Sequence, residues 1–379
     1  MIVDYRDMAG DQTRVDAFRR GIKAVVRPGD VVVDVGCGLG TYAIFACRAG
    51  ARKVYAIERD DIILVARRVV QQNGCADRIE FVRGDALTAD LPERADVVIH
   101  EDFSVTFAEP ETERLVASAR RRFLKKSGRM IPASVAVCAA PVSHRALYAR
   151  IDQWSKTGGL AYGVDFSATR EMAMNSIHRA ELRPSHLFGP AKVAHRVDLA
   201  APSLAFDRTL RFRSARSSVV HGVGVWFEAR LAPRVRLSNA PGAPRTLWGQ
   251  AFLPLAAPVR VAKGGLITVN LAARFSRDSS RVWWQWEVVT GRGRCDGTTF
   301  RSYPTSVAEL EAGSREHRPG LSPRGEATAC VLRMLGKGYT IMRSARELRR
   351  RFPARFVRLR DAVCKVGADA RKYGRRPPL

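Results

Sequence analysis

Val31-Val32-Val33-Asp34-Val35-Gly36-Cys37-Gly38-Leu39-Gly40-Thr41 is the stretch that decides the fold. A short β-branched run that passes directly into three alternating glycines has the form of a buried parallel-sheet strand, a tight turn and the start of a helix. Glycine lets the backbone turn sharply and lets a ligand approach with no Cβ in the way, while the amides of the helix's first turn face that ligand.

Working outward, Asp11 to Val26 carries Val15, Phe18, Ile22 and Val25 at helical spacing, and Pro28-Gly29 stops that helix. Downstream, Lys53–Ile57 reads as a second strand, Asp61–Gln72 as a helix, Ile79–Val82 as a third strand and Ala95–Ile99 as a fourth. Strands alternating with helices imply a parallel sheet with right-handed crossovers, a Rossmann-type doubly wound α/β fold. Near residue 130 the pattern changes to alternating stretches such as Leu266–Leu271 and Val282–Val288, broken by Pro and Gly, which predict an antiparallel β domain. The expected organisation is a cofactor-binding domain over 1–130 and a β-barrel domain over 131–305 with a helical insertion at about 146–180. A linker over 306–325 and a basic helical tail over 326–379 follow.

The whole sequence has 379 residues, 46% hydrophobic and 27% charged, which excludes disorder and fibrous classes as overall descriptions and allows more than one core. No apolar run approaches the roughly 20 residues of a membrane span, and the start lacks a signal-peptide pattern, so a soluble, cytoplasmic protein is expected. Seven scattered cysteines with no CxxC pair predict reduced thiols and no metal site. The formal charge is +27, and residues 321–379 hold 16 basic against 4 acidic side chains. That tail predicts an acidic partner or peptide, with nucleic acid as the other polyanion.

The loop departs from the dinucleotide fingerprint, because GCGLGTYA lacks the third glycine at GxGxxG spacing. Glu58 ends the second strand, where a carboxylate can accept from both ribose hydroxyls. With Asp34 ahead of the loop and Gly84-Asp85-Ala86 after the third strand, the pattern favours S-adenosylmethionine over NAD. Glu58 is accordingly assigned to the ribose, Asp85 and Ala86 to the adenine, Asp34, Gly36, Gly38 and Gly40 to the cradle, and Arg14 to the methionine carboxylate.

Over roughly residues 4–303 the chain resembles the protein arginine methyltransferases. The likeness rests on Met8-Ala9-Gly10-Asp11-Gln12-Thr13-Arg14, the glycine loop, and Ala49 through Glu58. Beyond the cofactor fold it rests on Trp154 with Tyr162–Ser167, Val225-Trp226-Phe227, Leu237–Pro241 and Thr246-Leu247-Trp248-Gly249-Gln250. The resemblance implies use of S-adenosylmethionine, a protein or peptide arginine as acceptor, and a homodimer formed through the inserted arm and the Rossmann-type domain. It places a catalytic glutamate pair at Glu101 and Glu109, with Met8 and Trp248 beside the substrate. A guanidinium with a pKa above 12 has no free lone pair, so carboxylates must orient it toward a methyl group. Three features depart from the family pattern: the loop to Glu109 is one residue short, Phe103-Ser104 replaces Met-Gly, and Leu247 replaces a histidine. Two alternative expectations follow, a methyltransferase acting on another nucleophile and a non-catalytic scaffold. Ala329–Thr340 with Ser344–Leu348 also resembles small winged-helix-like modules that bind peptides in modification pathways.

Overall fold

The computed structural model describes residues 2–102, 104–154, 164–276, 281–302 and 317–374. Two compact units are present, Met1–Pro304 and Thr305–Leu379.

The first unit begins with helices α1 (Ile2–Gly10) and α2 (Gln12–Val25). Next come β1 (Val31–Val35), α3 (Thr41–Arg48), β2 (Lys53–Glu58), α4 (Ile63–Gln72), β3 (Ile79–Arg83), β4 (Ala95–His100), α5 (Pro110–Phe123) and β5 (Leu124–Ile131). The five strands form one parallel sheet in the order β3-β2-β1-β4-β5. Every residue of β1 is buried, as its uninterrupted apolar run requires of a central strand covered on both faces. Val31, Val32 and Val33 are wholly enclosed, and each such side chain stabilises the fold by about 1.5–3 kcal/mol relative to exposure. The chain departs from β1 toward β2 on one side and toward β4 on the other, so the topological switch lies between β1 and β4. In a doubly wound sheet a ligand crevice opens beyond the carboxyl ends of the strands at that point.

The antiparallel part contains β6 (Ser134–Val142), β7 (His178–Ala180), β8 (Lys192–Asp198), β9 (Phe206–Arg213), β10 (Ser218–Ala232) and β11 (Val235–Ser238). It continues with β12 (Gln250–Val261), β13 (Leu266–Phe275), β14 (Val282–Thr290) and β15 (Gly293–Thr298). Among the described residues these strands form two hydrogen-bonded sheets: β7-β12-β10-β6-β8, with β11 on β10, and β15-β14-β13-β9. Trp284 and Trp286 project from β14 into a shared core with Phe206, Val225 and Leu253, and the Trp286 indole donates to the Pro254 carbonyl at 2.8 Å.

The expected helical insertion contains helices α6 (Arg145–Ile151) and α7 (Ser167–Met174), but its last residues form β7, which pairs with Gln250–Phe252. Trp154 and Phe166 meet edge to face at 6.0 Å. Residues 155–163, including Tyr162 and Gly163 of the family-like segment, lie outside the described residues, as does Phe103.

In the second unit, helices Pro323–Gly336, Ile341–Arg351 and Leu359–Tyr373 enclose Ala327, Val331, Ala345, Leu348, Ala362 and Val366. The first of them takes in the last three residues of the expected linker, because Ser322 caps it by accepting from Gly325 N–H at 3.1 Å. Residues 306–316 of that linker are outside the described residues.

Candidate active site

At the switch point lies a cleft of about 390 Å³, lined by α1, the glycine loop, the ends of β2 and β4, residues 84–87 and Trp248. Local geometry places each group. Gly36 and Gly38 turn the chain at φ 70° and 52°, in the left-handed region that an L side chain adopts only with strain. A Cβ on Gly38 would stand 3.1 Å from the Tyr5 ring, which covers the loop from α1.

Glu58, at the end of β2, accepts from the Gly38 N–H at 3.0 Å and from the Asp60 N–H at 2.9 Å. Its carboxylate therefore faces the glycine loop at the cleft wall. Asp85 accepts from Leu87 N–H at 2.8 Å, and the adjoining Ala86 is buried.

Arg14 is nearly buried on the first turn of α2. It donates to Glu101 at 2.8 Å and to the Met8 carbonyl, and its guanidinium lies 5.7 Å from the centre of the Trp248 ring. Glu101 is the first residue after β4, and burial pushes its pKa up to about 7 even though Arg14 opposes the shift. Trp248 packs edge-on to Phe227 at 5.0 Å.

The cleft thus brings together Met8, Arg14, Gly36, Gly38, Glu58, Asp85, Ala86, Glu101 and Trp248. Three residues assigned to the site from sequence stand outside its lining. Asp34 is buried within β1 and accepts from the backbone of Ala43 in α3; burial raises its pKa to about 7. Gly40 has φ 80° as the N-cap of α3, and a Cβ there would lie 3.2 Å from Val70. Glu109 is the N-cap residue of α5, ahead of Pro110. Its side chain hydrogen-bonds to Ser104, while burial raises its pKa. The short loop before it closes through Phe107, whose φ of 63° is unusual for a non-glycine residue.

Sequence reasoning did not assign Asp11, Arg59, Asp60, Asp102 or Glu111 to the site. Asp11 is the most informative of these. Oδ1 accepts from the Arg14 N–H at 3.1 Å and caps α2, while Oδ2 accepts from the Leu247 N–H at 2.8 Å. One buried carboxylate therefore ties the helix that carries Arg14 to the β-domain loop that carries Trp248. An aspartate immediately before an apolar helical stripe was the available signal. Arg59 pairs with Glu111 at 3.3 Å across the rim, and burial followed by the Glu111 charge raises the pKa of Asp102.

In charge the lining contrasts with the whole molecule. Glu58, Asp60, Asp85, Glu101, Asp102 and Glu111 face the cleft against only Arg14 and Arg59, in a chain of net charge +27.

A glycine-loop cleft with a carboxylate at the end of the second strand, joined to an antiparallel domain that supplies one wall, defines a class I methyltransferase with S-adenosylmethionine as its methyl donor. Residues 32–128 match the methyltransferase domain family, and residues 133–287 match the arginine methyltransferase oligomerization subdomain. The chain is thus a protein arginine methyltransferase-like methyltransferase. Protein arginine N-methyltransferase 6 of Danio rerio is 29% identical over 324 residues, which span 81% of this chain and 92% of the relative. Among solved structures, the Trypanosoma brucei PRMT1 enzyme–prozyme heterotetrameric complex with AdoHcy is similar in fold, with TM-score 0.71 and 22% identity. That match covers 78% of this chain and 97% of that one. Arabidopsis thaliana protein arginine methyltransferase 10 has TM-score 0.68 and 23% identity, covering 79% and 98%.

Proposed function

We propose that the chain transfers a methyl group from S-adenosylmethionine to a guanidinium nitrogen of arginine in a protein or peptide. The observation that carries this reading is the acidic cleft on a strongly cationic molecule. A guanidinium-bearing peptide is repelled by the net charge at long range, whereas six carboxylates against two guanidinium groups attract it at the site itself.

The residues present fit the donor. Gly36 and Gly38 leave the loop backbone bare where a Cβ would meet neighbouring side chains, and Glu58 stands beside it as a hydrogen-bond acceptor. In this reading Glu58 receives the ribose hydroxyls, Asp85 and Ala86 border the adenine, and Arg14 neutralises the methionine carboxylate. When bound, S-adenosylmethionine supplies an electrophilic methyl group on a sulfonium centre. The chain's own residues bind and aim the acceptor. Glu101, ionised beside Arg14, accepts from the acceptor's N–H groups and concentrates its positive charge on the bonded nitrogen, leaving the other as nucleophile. Met8 and Trp248 confine the acceptor side chain, and Asp11 holds both walls in register. Glu109, bonded to Ser104, is read as a positioning residue for the loop after Glu101.

The finer reading of partners is a homodimer formed through the inserted segment and the nucleotide-type domain, consistent with the matched oligomerization subdomain. It also gives the basic second unit an acidic peptide or polyanion as partner, and assigns the chain to the cytoplasm. No helix among the described residues is long and apolar enough to cross a membrane.

One observation favours a second acceptor class. With Glu109 directed to Ser104 and an aliphatic Leu247 beside the cleft, Glu101 is the carboxylate best placed to hold an acceptor, an arrangement that suits a simple amine. The test is transfer of labelled methyl into paired peptides that differ only by arginine or lysine, followed by mass spectrometry of the product. Methylarginine confined to the arginine peptide is expected. Label on lysine, or on a small amine in preference to both, overturns the arginine assignment.

A further inference from the structure

A large groove of the first unit is separate from the cleft. It encloses about 1010 Å³ between the carboxyl-terminal ends of α2 and α5, strand β5, the end of β10 and the loop after β8. Eight cationic side chains line it against one carboxylate, Asp198.

Part of that charge is committed to the fold. Arg94 donates to the carbonyls of Arg121 and Leu124 at 3.0 and 2.9 Å, where they end α5 and begin β5. Lys125 pairs with Asp96 at 2.8 Å, and Arg129 with Asp30 at 2.7 Å. The other five are Arg27, Arg120, Arg121, Lys126 and Arg230, all exposed. Arg230 reaches only the Ser134 hydroxyl, at 3.2 Å, and the remaining four form no ion pair among the described residues. Asp198 offsets little of this, since one of its oxygens already accepts from Ala200 N–H at 2.9 Å. Like charges gathered around a concavity repel one another, and an anionic ligand relieves that repulsion.

The surface between these cations is aliphatic, with Val25, Ala117, Ala201, Pro202 and Pro233 at least partly exposed, and the lining has no aromatic side chain. That composition discriminates between polyanions. Single-stranded nucleic acid gains much of its affinity by stacking bases on aromatic rings, and this groove offers none. An acidic peptide uses both features, its carboxylates meeting guanidinium forks and its aliphatic side chains covering the apolar floor.

We propose that this groove is a docking site for an extended acidic peptide segment carrying aliphatic side chains. The site is independent of the acceptor assigned above, since it shares no lining residue with the cleft.

The test uses the full chain and a fluorescein-labelled peptide of repeated Glu-Glu-Leu triplets, followed by fluorescence anisotropy. The Arg120→Glu/Arg121→Glu/Lys126→Glu variant is expected to bind the peptide about tenfold more weakly or worse, with a smaller salt dependence. A milder Arg120→Gln/Arg121→Gln/Lys126→Gln variant gives a smaller loss, and equal thermal unfolding shows that the fold is intact. Arg208→Glu/Arg211→Glu, exposed on β9 and outside the groove lining, serves as a control that leaves affinity unchanged. No peptide binding by the wild type, full retention by both groove variants, or loss confined to the control overturns the proposal. A uridine oligonucleotide of equal charge that displaces the peptide, and whose own binding the groove variants abolish, replaces the peptide with nucleic acid and also overturns it.

Discussion

Arg14 and Glu101, 87 residues apart in sequence, form an ion pair of 2.8 Å at the centre of the cleft. The pair makes Glu101 both usable and conditional. Burial favours the neutral acid, Arg14 favours the carboxylate, and the balance stands at about 7. Only the carboxylate can hold a cationic acceptor. We expect kcat/KM to rise with pH through about 7 and to fall as Glu101 is protonated below it. Glu101→Gln should lower kcat by about a hundredfold or more, the scale on which removal of one charge-stabilising group acts. Donor affinity measured by calorimetry should move by no more than about threefold. Retained transfer in that variant would remove Glu101 from the reaction.

Asp34 gives a second, opposite pH effect, on stability. Its folded pKa of about 7 lies above the unfolded 3.8, so the native state holds the proton more tightly. That contribution is fully present below about 4, declines as pH rises, and is lost above about 7. Asp34→Asn keeps an acceptor for the Ala43 N–H and removes the ionisation. The variant should raise Tm over wild type at pH 8 by clearly more than at pH 5. Because Asp34 lies outside the cleft lining, donor affinity at pH 8 should be unchanged; a Tm gain independent of pH would show that ionisation is not the cause.

Much of this was legible because it rests on local rules. The all-buried Val31–Val35 strand, the three left-handed glycines and the Glu58 carboxylate follow from backbone sterics and strand burial, which a sequence displays directly. Strand β5 was not legible. Leu124-Lys125-Lys126-Ser127-Gly128-Arg129-Met130-Ile131 is buried only at its ends, as an edge strand permits, and lacks both alternation and a continuous apolar run. Direction was the other gap. An acid before a glycine loop reads as a ligand group, yet in β1 the Asp34 carboxyl turns to α3, and a strand's two faces are not labelled in its sequence. At Glu109 the helix-start reading and the catalytic reading use the same letters, and only the fold shows the side chain on Ser104. Net charge is likewise silent on placement: carboxylates gather at the cleft while arginines and lysines line the groove between α2, α5 and β5.

The link between the two halves of the site predicts an effect at Asp11. Asp11→Ala removes the α2 cap, costing about 0.5–2 kcal/mol, and leaves the Leu247 N–H without its acceptor, costing about 1–3 kcal/mol more. Tm should fall, and KM for the acceptor should rise as the Trp248 wall loosens. Leu247→His is the contrasting variant. The bond to Asp11 comes from the backbone, and the Leu247 side chain is 41% exposed, so its Tm should match wild type. Equal destabilisation by both variants would mean that the Leu247 side chain, rather than the Asp11 bond, holds the loop.

Gly38 and Tyr5 test whether the bare glycine loop serves the donor or only packing. Gly38→Ala forces a side chain into φ 52°, costing about 1–2 kcal/mol, and pushes against a ring 3.1 Å away. Donor affinity should fall about tenfold, since the Tyr5 ring and the new methyl compete for the same edge of the cleft. Tyr5→Ala removes the ring and leaves the backbone cost in place, so Gly38→Ala/Tyr5→Ala should recover part of the affinity but not the lost stability. The effects of the two changes are therefore non-additive in donor affinity and nearly additive in Tm. Additivity in both measurements would mean that Tyr5 does not touch the loop in solution. Donor affinity unchanged by Gly38→Ala would mean that this glycine serves the turn alone.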